Sequence, residues 1–273
     1  MNRFAFIVPV YRHGSTLDYV VSSLLKFNCP IIVVDDGNGE DDKKFIRDVE
    51  SKYSAVVVIW RKKNGGKGRA VNDGVKKAHE LGITHVLQID SDGQHDVSQV
   101  EHFLELSEKN PECIICSYPE YDETVPPARL KARKIANTWI HIVTISNEIK
   151  DCLIGFRVYP VAPYYRLLKN HAVIDSHMGF DLDILVHMIW ENIPVVQSPV
   201  KVSYPKDGVS NFRLVRDNVH ISLAYTRLCI GMMFRSPVLI FRAIKRGLKS
   251  LDYIVEFLKA ENNFFLPAFL KTS

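Results

Sequence analysis

The feature that most restricts this chain is an alternation that fills its first half. Short apolar runs at Phe4–Val10, Ile31–Val34, Ala55–Trp60, Thr84–Ile89 and Ile114–Ser117 read as strands. Between them, the amphipathic stretches Leu17–Phe27, Lys43–Tyr53, Gly68–Leu81 and Val97–Lys109 read as helices. Parallel strands cannot be joined by a tight turn, and a helix supplies the crossover they need. Strand and helix in turn therefore predict an α/β fold: a Rossmann-like, mainly parallel sheet flanked by helices on both faces. In such open sheets ligands collect outside the carboxyl ends of the strands. Four largely polar segments lie at or just past predicted strand ends: Pro9–His13, Asp35–Asn38, Arg61–Gly68 and Asp90–His95.

The second half is less regular. Tyr118–Pro127 reads as a loop, and Ala128–Ile149 as one long helix, basic at its start and apolar at Ile135, Trp139, Ile142 and Val143. Asp151–Pro160 is a loop running into a strand, Phe180–Trp190 a helix, Val195–Val202 a strand and Tyr204–Ser210 a turn-rich loop. From Arg213 onward the pattern is helical, with a break expected at Pro237. The expected organisation is one catalytic-size domain over residues 1–217 and a helical extension over 218–273.

Composition narrows the function classes. With 47% hydrophobic and 24% charged residues the chain is neither disordered nor fibrous. A net charge of +4 does not demand nucleic acid as a partner. The charge is unevenly placed, with 10 basic against 4 acidic residues from Asn211 to Ser273. Within Ile221–Phe265 apolar residues recur at gaps of three and four with basic residues largely between them, the pattern of a helix lying in a membrane interface. No run of about 18 uninterrupted apolar residues is present; Ile221–Phe241 is interrupted by Arg227, Arg235 and Pro237. Phe4–Val10 is too short for a signal peptide. The five cysteines are irregularly spaced, and Cys113 and Cys116 fall on opposite faces of a strand, as small core residues would in a reducing compartment. These observations predict a cytoplasmic protein, peripheral at the inner face of an anionic membrane.

Three segments carry chemistry. Asp90-Ser91-Asp92 ends a strand, and two carboxylates there suit Mg²⁺ or Mn²⁺ on a diphosphate, since these ions take few protein ligands beside phosphate oxygens. Asp96 is free to cap the helix that follows. Asn64-Gly65-Gly66-Lys67-Gly68-Arg69 joins a strand to a helix; its glycines admit close backbone approach, and Lys67 and Arg69 can face phosphates. Asp35-Asp36 can hold a ribose or a base by hydrogen bonds, or form a simple Asp-Gly turn.

Taken in order, Pro9-Val10-Tyr11, Val33-Val34-Asp35-Asp36-Gly37, Asn64-x-Gly66-x-Gly68-x-Ala70-x-x-x-Gly74 and Asp90-x-Asp92-x-Gln94-His95 resemble the motifs of family 2 glycosyltransferases. Asp151-x-x-x-Gly155-Phe156-Arg157, Gly179-Phe180-Asp181-Leu182-Asp183 and Tyr204-Pro205-x-x-Gly208-x-Ser210-x-Phe212-Arg213 extend the resemblance to about Asp217. It is closest to the branch of polyprenyl-phosphate mannose and glucose synthases. The resemblance implies a GT-A fold, a UDP- or GDP-sugar donor, a divalent metal, inversion at the anomeric carbon and a lipid or lipid-linked acceptor. Carried over residue by residue, it assigns Pro9, Tyr11, Asp35 and Asp36 to the nucleoside, and places Gly66 and Lys67 beside the nucleotide. It also assigns Asp90 and Gln94 to the donor and Asp92 to the metal. Asp181 resembles the base used with hydroxyl acceptors, with Asp183 a second candidate. Arg129 and Arg133 are candidates for a lipid phosphate, and Arg157, Ser210 and Arg213 for the acceptor or a closing loop over Tyr204–Arg213. Arg12-His13 and Asn38 depart from the family pattern. The alternative is a catalytically degenerate nucleotide-sugar-binding or scaffold protein.

Overall fold

A computed structural model of the chain describes residues 2–93, 95–121, 125, 127–170, 172–177, 179–202 and 214–245. Seven strands form one sheet: β1 (Phe4–Val10), β2 (Ile31–Asp35), β3 (Val56–Trp60), β4 (His85–Gln88), β5 (Ile114–Tyr121), β6 (Arg157–Pro160) and β7 (Val195–Val202). Their order is β3-β2-β1-β4-β6-β5-β7, parallel throughout except for β6, which runs antiparallel to both β4 and β5. The mainly parallel sheet expected from the alternation is present. Every residue of β2 is buried, because both faces of the central sheet are covered.

Helices α1 (Leu17–Leu24), α2 (Glu40–Lys52) and α4 (Val100–Lys109) cover one face around Phe6, Val8, Leu24, Ile46 and Phe103. Helices α3 (Lys67–Glu80), α5 (Pro127–Thr144), α6 (Val161–Lys169), α7 (Phe180–Trp190) and α8 (Leu214–Lys245) cover the other, around Ile7, Val71, Ile140, Tyr164 and Leu185. Cys116 packs in the second core and Cys113 against the first, the opposite faces that strand geometry requires.

The chain winds from β1 outward to β3, then returns to the other side of β1 with β4, so the order reverses between β1 and β4. Their register ends at Ile7↔Gln88, and the last bond between them runs from Ile89 N to Ile7 O. Beyond it the strands part. Pro9 lies in this gap, where the N–H that proline lacks would have no strand to bond, which reconciles a proline with a central strand.

Several boundaries differ from the sequence reading. α2 begins at Glu40, with Glu40, Asp41 and Asp42 in its first turn, where carboxylates complement the helix dipole. β5 continues through Tyr118–Tyr121, expected as loop, because β7 offers a partner for each of those residues. α5 stops at Thr144 rather than Ile149; Ile145 takes a left-handed conformation with φ 49°. α6, for which the sequence offered no reading, follows β6 directly.

Pro237 does not break α8. The Met233 carbonyl, four residues back, loses the N–H it would normally accept, and the Ser236 hydroxyl bonds to it instead at 2.9 Å. α8 also begins at Leu214, ahead of the expected boundary at 217/218, and Leu228, Leu239 and Ala243 belong to the core shared with α3 and α7. Two buried leucines contribute about 1.5–3 kcal/mol each, enough to hold one face of α8 on the domain. The opposite face exposes Leu223, Ile230, Phe234, Phe241 and Ile244. The remainder of the expected amphipathic extension lies outside the described residues.

Candidate active site

The site is built at the gap between β1 and β4. β4 delivers Gln88 and, two residues later, Asp90; α3 begins with Lys67; α7 carries Asp181 in its first turn. Lys67 Nζ lies 2.9 Å from Asp90 Oδ1 and 3.0 Å from Asp181 Oδ2, so one ammonium bridges two carboxylates. Gln88 Nε2 donates to Asp181 Oδ1 at 3.1 Å, and His95 Nε2 stands 3.4 Å from Asp90 Oδ2. Burial works against charge on Lys67, but Asp181 and Asp90 outweigh it and raise its pKa above the ordinary lysine value. Burial likewise opposes ionisation of Asp90, yet Lys67 and His95 hold its carboxyl well below the usual carboxylate range.

Gly155 makes the cluster possible. A Cβ there would stand 2.5 Å from Lys67 Nζ and 2.6 Å from Gln88 Nε2. The loop that carries Gly155 is tied by Asp151, whose Oδ1 accepts from the backbone N–H of Leu153 at 3.0 Å and of Ile154 at 2.9 Å. Because β6 is antiparallel, its entry rather than its exit meets the carboxyl ends of the other strands, which brings this loop to the site.

The nucleoside candidates adjoin this cluster. Asp36 is buried and fully engaged: its carboxylate accepts from Arg61, from Asn64 Nδ2 and from the backbone N–H of Gly65 and Gly66. It organises the glycine loop from within. Asp35 Oδ1 accepts from Asn38 N at 3.0 Å and Nδ2 at 2.6 Å. Its Oδ2 is buried without a hydrogen-bond partner. Asn38, a departure from the family pattern, also donates to the Val10 carbonyl and accepts from Arg12 N, so it ties the β1 and β2 loops together. Arg12 is left-handed at φ 61°, and its guanidinium lies over the half-exposed Tyr11 ring.

Asp92 occupies the turn after β4, partly buried and followed by left-handed Gly93. Among the described residues no three His, Cys, Asp or Glu side chains gather as a metal cluster. The donor set present, one carboxylate on the turn with Asp90 beside it in sequence, fits an ion that takes most of its ligands from a diphosphate and water. Gln94 lies outside the described residues, as do Ser210, Arg213 and the loop between Tyr204 and Arg213; of Arg129 only the helical backbone is described.

Two assignments are corrected. Asp183 is fully buried and faces away from the cluster; its carboxylate is held by Arg227 and by the Asp175 N–H, while His187 Nδ1 bonds to its backbone carbonyl. Residues two apart on a helix point in nearly opposite directions, so only Asp181 of the pair can face the cleft. Arg157 is also fully buried, and its guanidinium donates to the backbone carbonyls of Asp181 and Cys152, so it supports Asp181 from beneath and cannot meet an acceptor. Arg133 pairs with Asp151 and lines an open groove of about 430 Å³ with Tyr121, Leu130, Lys134, Asn137 and Lys150. Gln88, His95 and Gly155 were given no role from the sequence. A polar Gln two residues before Asp90, on the same strand face and inside an apolar run, was the available signal for the first.

Comparison with known proteins identifies the family and the fold. Residues 5–171 match the family described as Glycosyl transferase family 2. A dolichyl-phosphate beta-glucosyltransferase of Dictyostelium discoideum is 28% identical over 80% of this chain and 73% of its own length. A polyprenol monophosphomannose synthase of Mycolicibacterium smegmatis is 25% identical over 77% of this chain and 80% of its own. Among solved structures, glucosyl-3-phosphoglycerate synthase of Mycobacterium tuberculosis, in complex with Mn²⁺, UDP-glucose and phosphoglyceric acid, superposes with a TM-score of 0.61 at 14% identity. That superposition covers 85% of this chain and 78% of that one.

Proposed function

Since this chain belongs to glycosyltransferase family 2, we propose that it transfers a hexosyl group from a UDP- or GDP-sugar to a polyprenyl phosphate at the surface of an anionic membrane, with inversion. The observation that carries this reading is the bridging of Asp90 and Asp181 by Lys67 at the point where the strand order reverses. That position suits a nucleoside diphosphate. The orphaned Asp35 Oδ2 suits an N–H or hydroxyl donor of the nucleoside. Asp181 is engaged by Lys67 and Gln88, which suits a role in orienting a bound group. A phosphate acceptor fits such a site, because it is already ionised and needs no base. The names of the two relatives point to the same acceptor class.

In the reaction, a phosphate oxygen of the acceptor forms its bond to the anomeric carbon as the bond to the donor diphosphate breaks on the opposite face; no proton moves. Lys67, charged throughout, keeps Asp90 and Asp181 in place, and Arg157 fixes the Asp181 backbone. A Mg²⁺ or Mn²⁺ ion held by Asp92 and the diphosphate would supply Lewis-acid stabilisation of the leaving group. The basic groove around Arg133, Lys134 and Lys150 offers positive charge toward the acceptor side. The apolar outer face of α8, with no acidic residue from Asn218 to Lys245 and Lys245 at its end, suits an anionic bilayer, while Arg235 and Arg242 turn inward to Trp190. Among the described residues no helix is long and apolar enough to cross a membrane.

The test is a calorimetric screen of UDP- and GDP-sugars with Mn²⁺, followed by turnover with a short polyprenyl phosphate. Asp92→Asn is expected to lower turnover by about two to four orders of magnitude while leaving the fold intact. Full activity of that variant, or of the wild type in EDTA, refutes the metal assignment. Phe234→Glu should weaken sedimentation with anionic vesicles; this is cleaner than truncation within α8, which would strip Leu239 and Ala243 from the core. Unchanged sedimentation overturns the membrane assignment.

A further inference from the structure

Asp183 is a buried carboxylate that the reaction does not use, and with its partners it joins three elements: α7, α8 and the segment before α7. Its Oδ2 accepts the backbone N–H of Asp175 at 2.5 Å and the guanidinium of Arg227 on α8; its Oδ1 is buried without a hydrogen-bond partner, and His187 Nδ1 bonds at 2.9 Å to the Asp183 backbone carbonyl. Such a charge persists in the interior only while its partners hold it, so the three elements are bound to one another through it.

The segment that Asp183 grips lies on the start of α3. Gly68 N donates to the Ser176 carbonyl at 3.0 Å. A Cβ on Gly66 would stand 2.1 Å from that same oxygen, and one on Gly68 would stand 2.6 Å from the Asp175 carbonyl. Two glycines thus let Asp175 and Ser176 close over the first turn of α3, and the residue between those glycines is Lys67. Asp181, the other end of the Lys67 bridge, stands two residues before Asp183 in the first turn of α7.

We propose that Asp183 is a positioning residue. With Arg227 it clamps Asp175 and Ser176 onto the N-terminus of α3, and so places Lys67 between Asp90 and Asp181. Helix α8 is then part of the support of the reaction centre, and releasing Arg227 loosens Lys67. The effect on turnover rests on the transferase reading above; the mechanical coupling does not.

The experiment compares full-length wild type with Asp183→Asn, Arg227→Met and Arg227→Lys by amide hydrogen exchange and steady-state kinetics. Arg227 is partly exposed, so its replacement by Met keeps the test available if Asp183→Asn does not fold. The clamp predicts that exchange in the peptide spanning residues 66–70 accelerates about tenfold in the first two variants, with other core peptides unchanged, and that Arg227→Lys restores protection. It also predicts that kcat falls about 10- to 100-fold with donor KM within about threefold of wild type. Unchanged exchange at 66–70, acceleration spread evenly over the whole protein, or local acceleration with wild-type kcat each overturn the proposal. A wild type without transferase activity counts against the functional reading, and the exchange result then decides the clamp alone.

Discussion

Replacing Gly155 with alanine adds one methyl group where the loop before β6 crosses the Lys67 cluster. The new Cβ would stand 2.5 Å from Lys67 Nζ, 2.6 Å from Gln88 Nε2 and 3.1 Å from Asp181 Oδ1, whereas ordinary contact begins near 3.4 Å. The ammonium must therefore withdraw by about 0.9 Å and the amide by about 0.8 Å. A 3.0 Å contact between Lys67 and Asp181, lengthened by that much, ceases to be a hydrogen bond. A hydrogen bond to a charged group contributes about 1.5–3 kcal/mol, which converts to a loss of turnover of about 10- to 150-fold if one such bond is forfeited. The groups displaced are the far ends of flexible side chains, so the melting temperature should move by no more than about 4 °C. The assay is release of nucleoside diphosphate from the sugar donor in the presence of acceptor, with a thermal melt of the same preparation. An alanine variant that turns over within threefold of wild type would refute the reasoning, because the methyl group would then have been accommodated without disturbing the bridge.

Asp36→Ala removes the acceptor of four hydrogen bonds and leaves Arg61 and the Gly65 and Gly66 amides without it; the expected loss is about 3–5 kcal/mol in urea denaturation, and a loss below 1 kcal/mol would contradict its role inside the glycine loop. Burial pushes the pKa of His85 below the ordinary imidazole value, with its Nε2 2.8 Å from the Pro111 carbonyl. A folded value below the unfolded one means that the stabilisation is complete above the unfolded value of about 6.5 and is lost as pH falls through the folded value. Thermal melts from pH 8 to pH 5 should show a decline below about pH 6.5 that His85→Gln flattens; an identical slope in the variant would disprove it.

Elements with strong periodicity were legible from sequence alone. β1 and α7 lie over the residues that the apolar pattern marked, because both faces of the central sheet and nearly the whole circumference of α7 are buried. Boundaries governed by tertiary partners were not. β5 extends as far as β7 will pair with it, and α5 ends where Ile145 turns left-handed, and neither is encoded in local propensity. At the site, the glycine loop, Asp90 and Asp181 were identified by motif, and the structure brings Lys67 to both carboxylates. The separate placement of Asp181 and Asp183 was available from helix geometry, since a two-residue step turns a side chain about 200° around the axis. The burial of Arg157 was not legible, because nothing in its sequence motif signals that the guanidinium serves backbone carbonyls from below.

The antiparallel β6 has a consequence for how the chain reaches this state. Its residues Arg157–Pro160 pair with Gln88–His85, from which they are separated in sequence by α4, β5 and α5. Until β6 arrives, β4 is an open edge with no neighbour on that side, and β5 and β7 have no link to the rest of the sheet. Closing so long a loop carries an entropic cost that nearby pairings do not. The half built on β1 to β4, which holds the candidate nucleoside residues, can therefore form early, while the half that contributes Gly155 and Asp181 joins only when β6 wedges into place. During synthesis the exposed edge of β4 is the point at which another chain could pair in its stead.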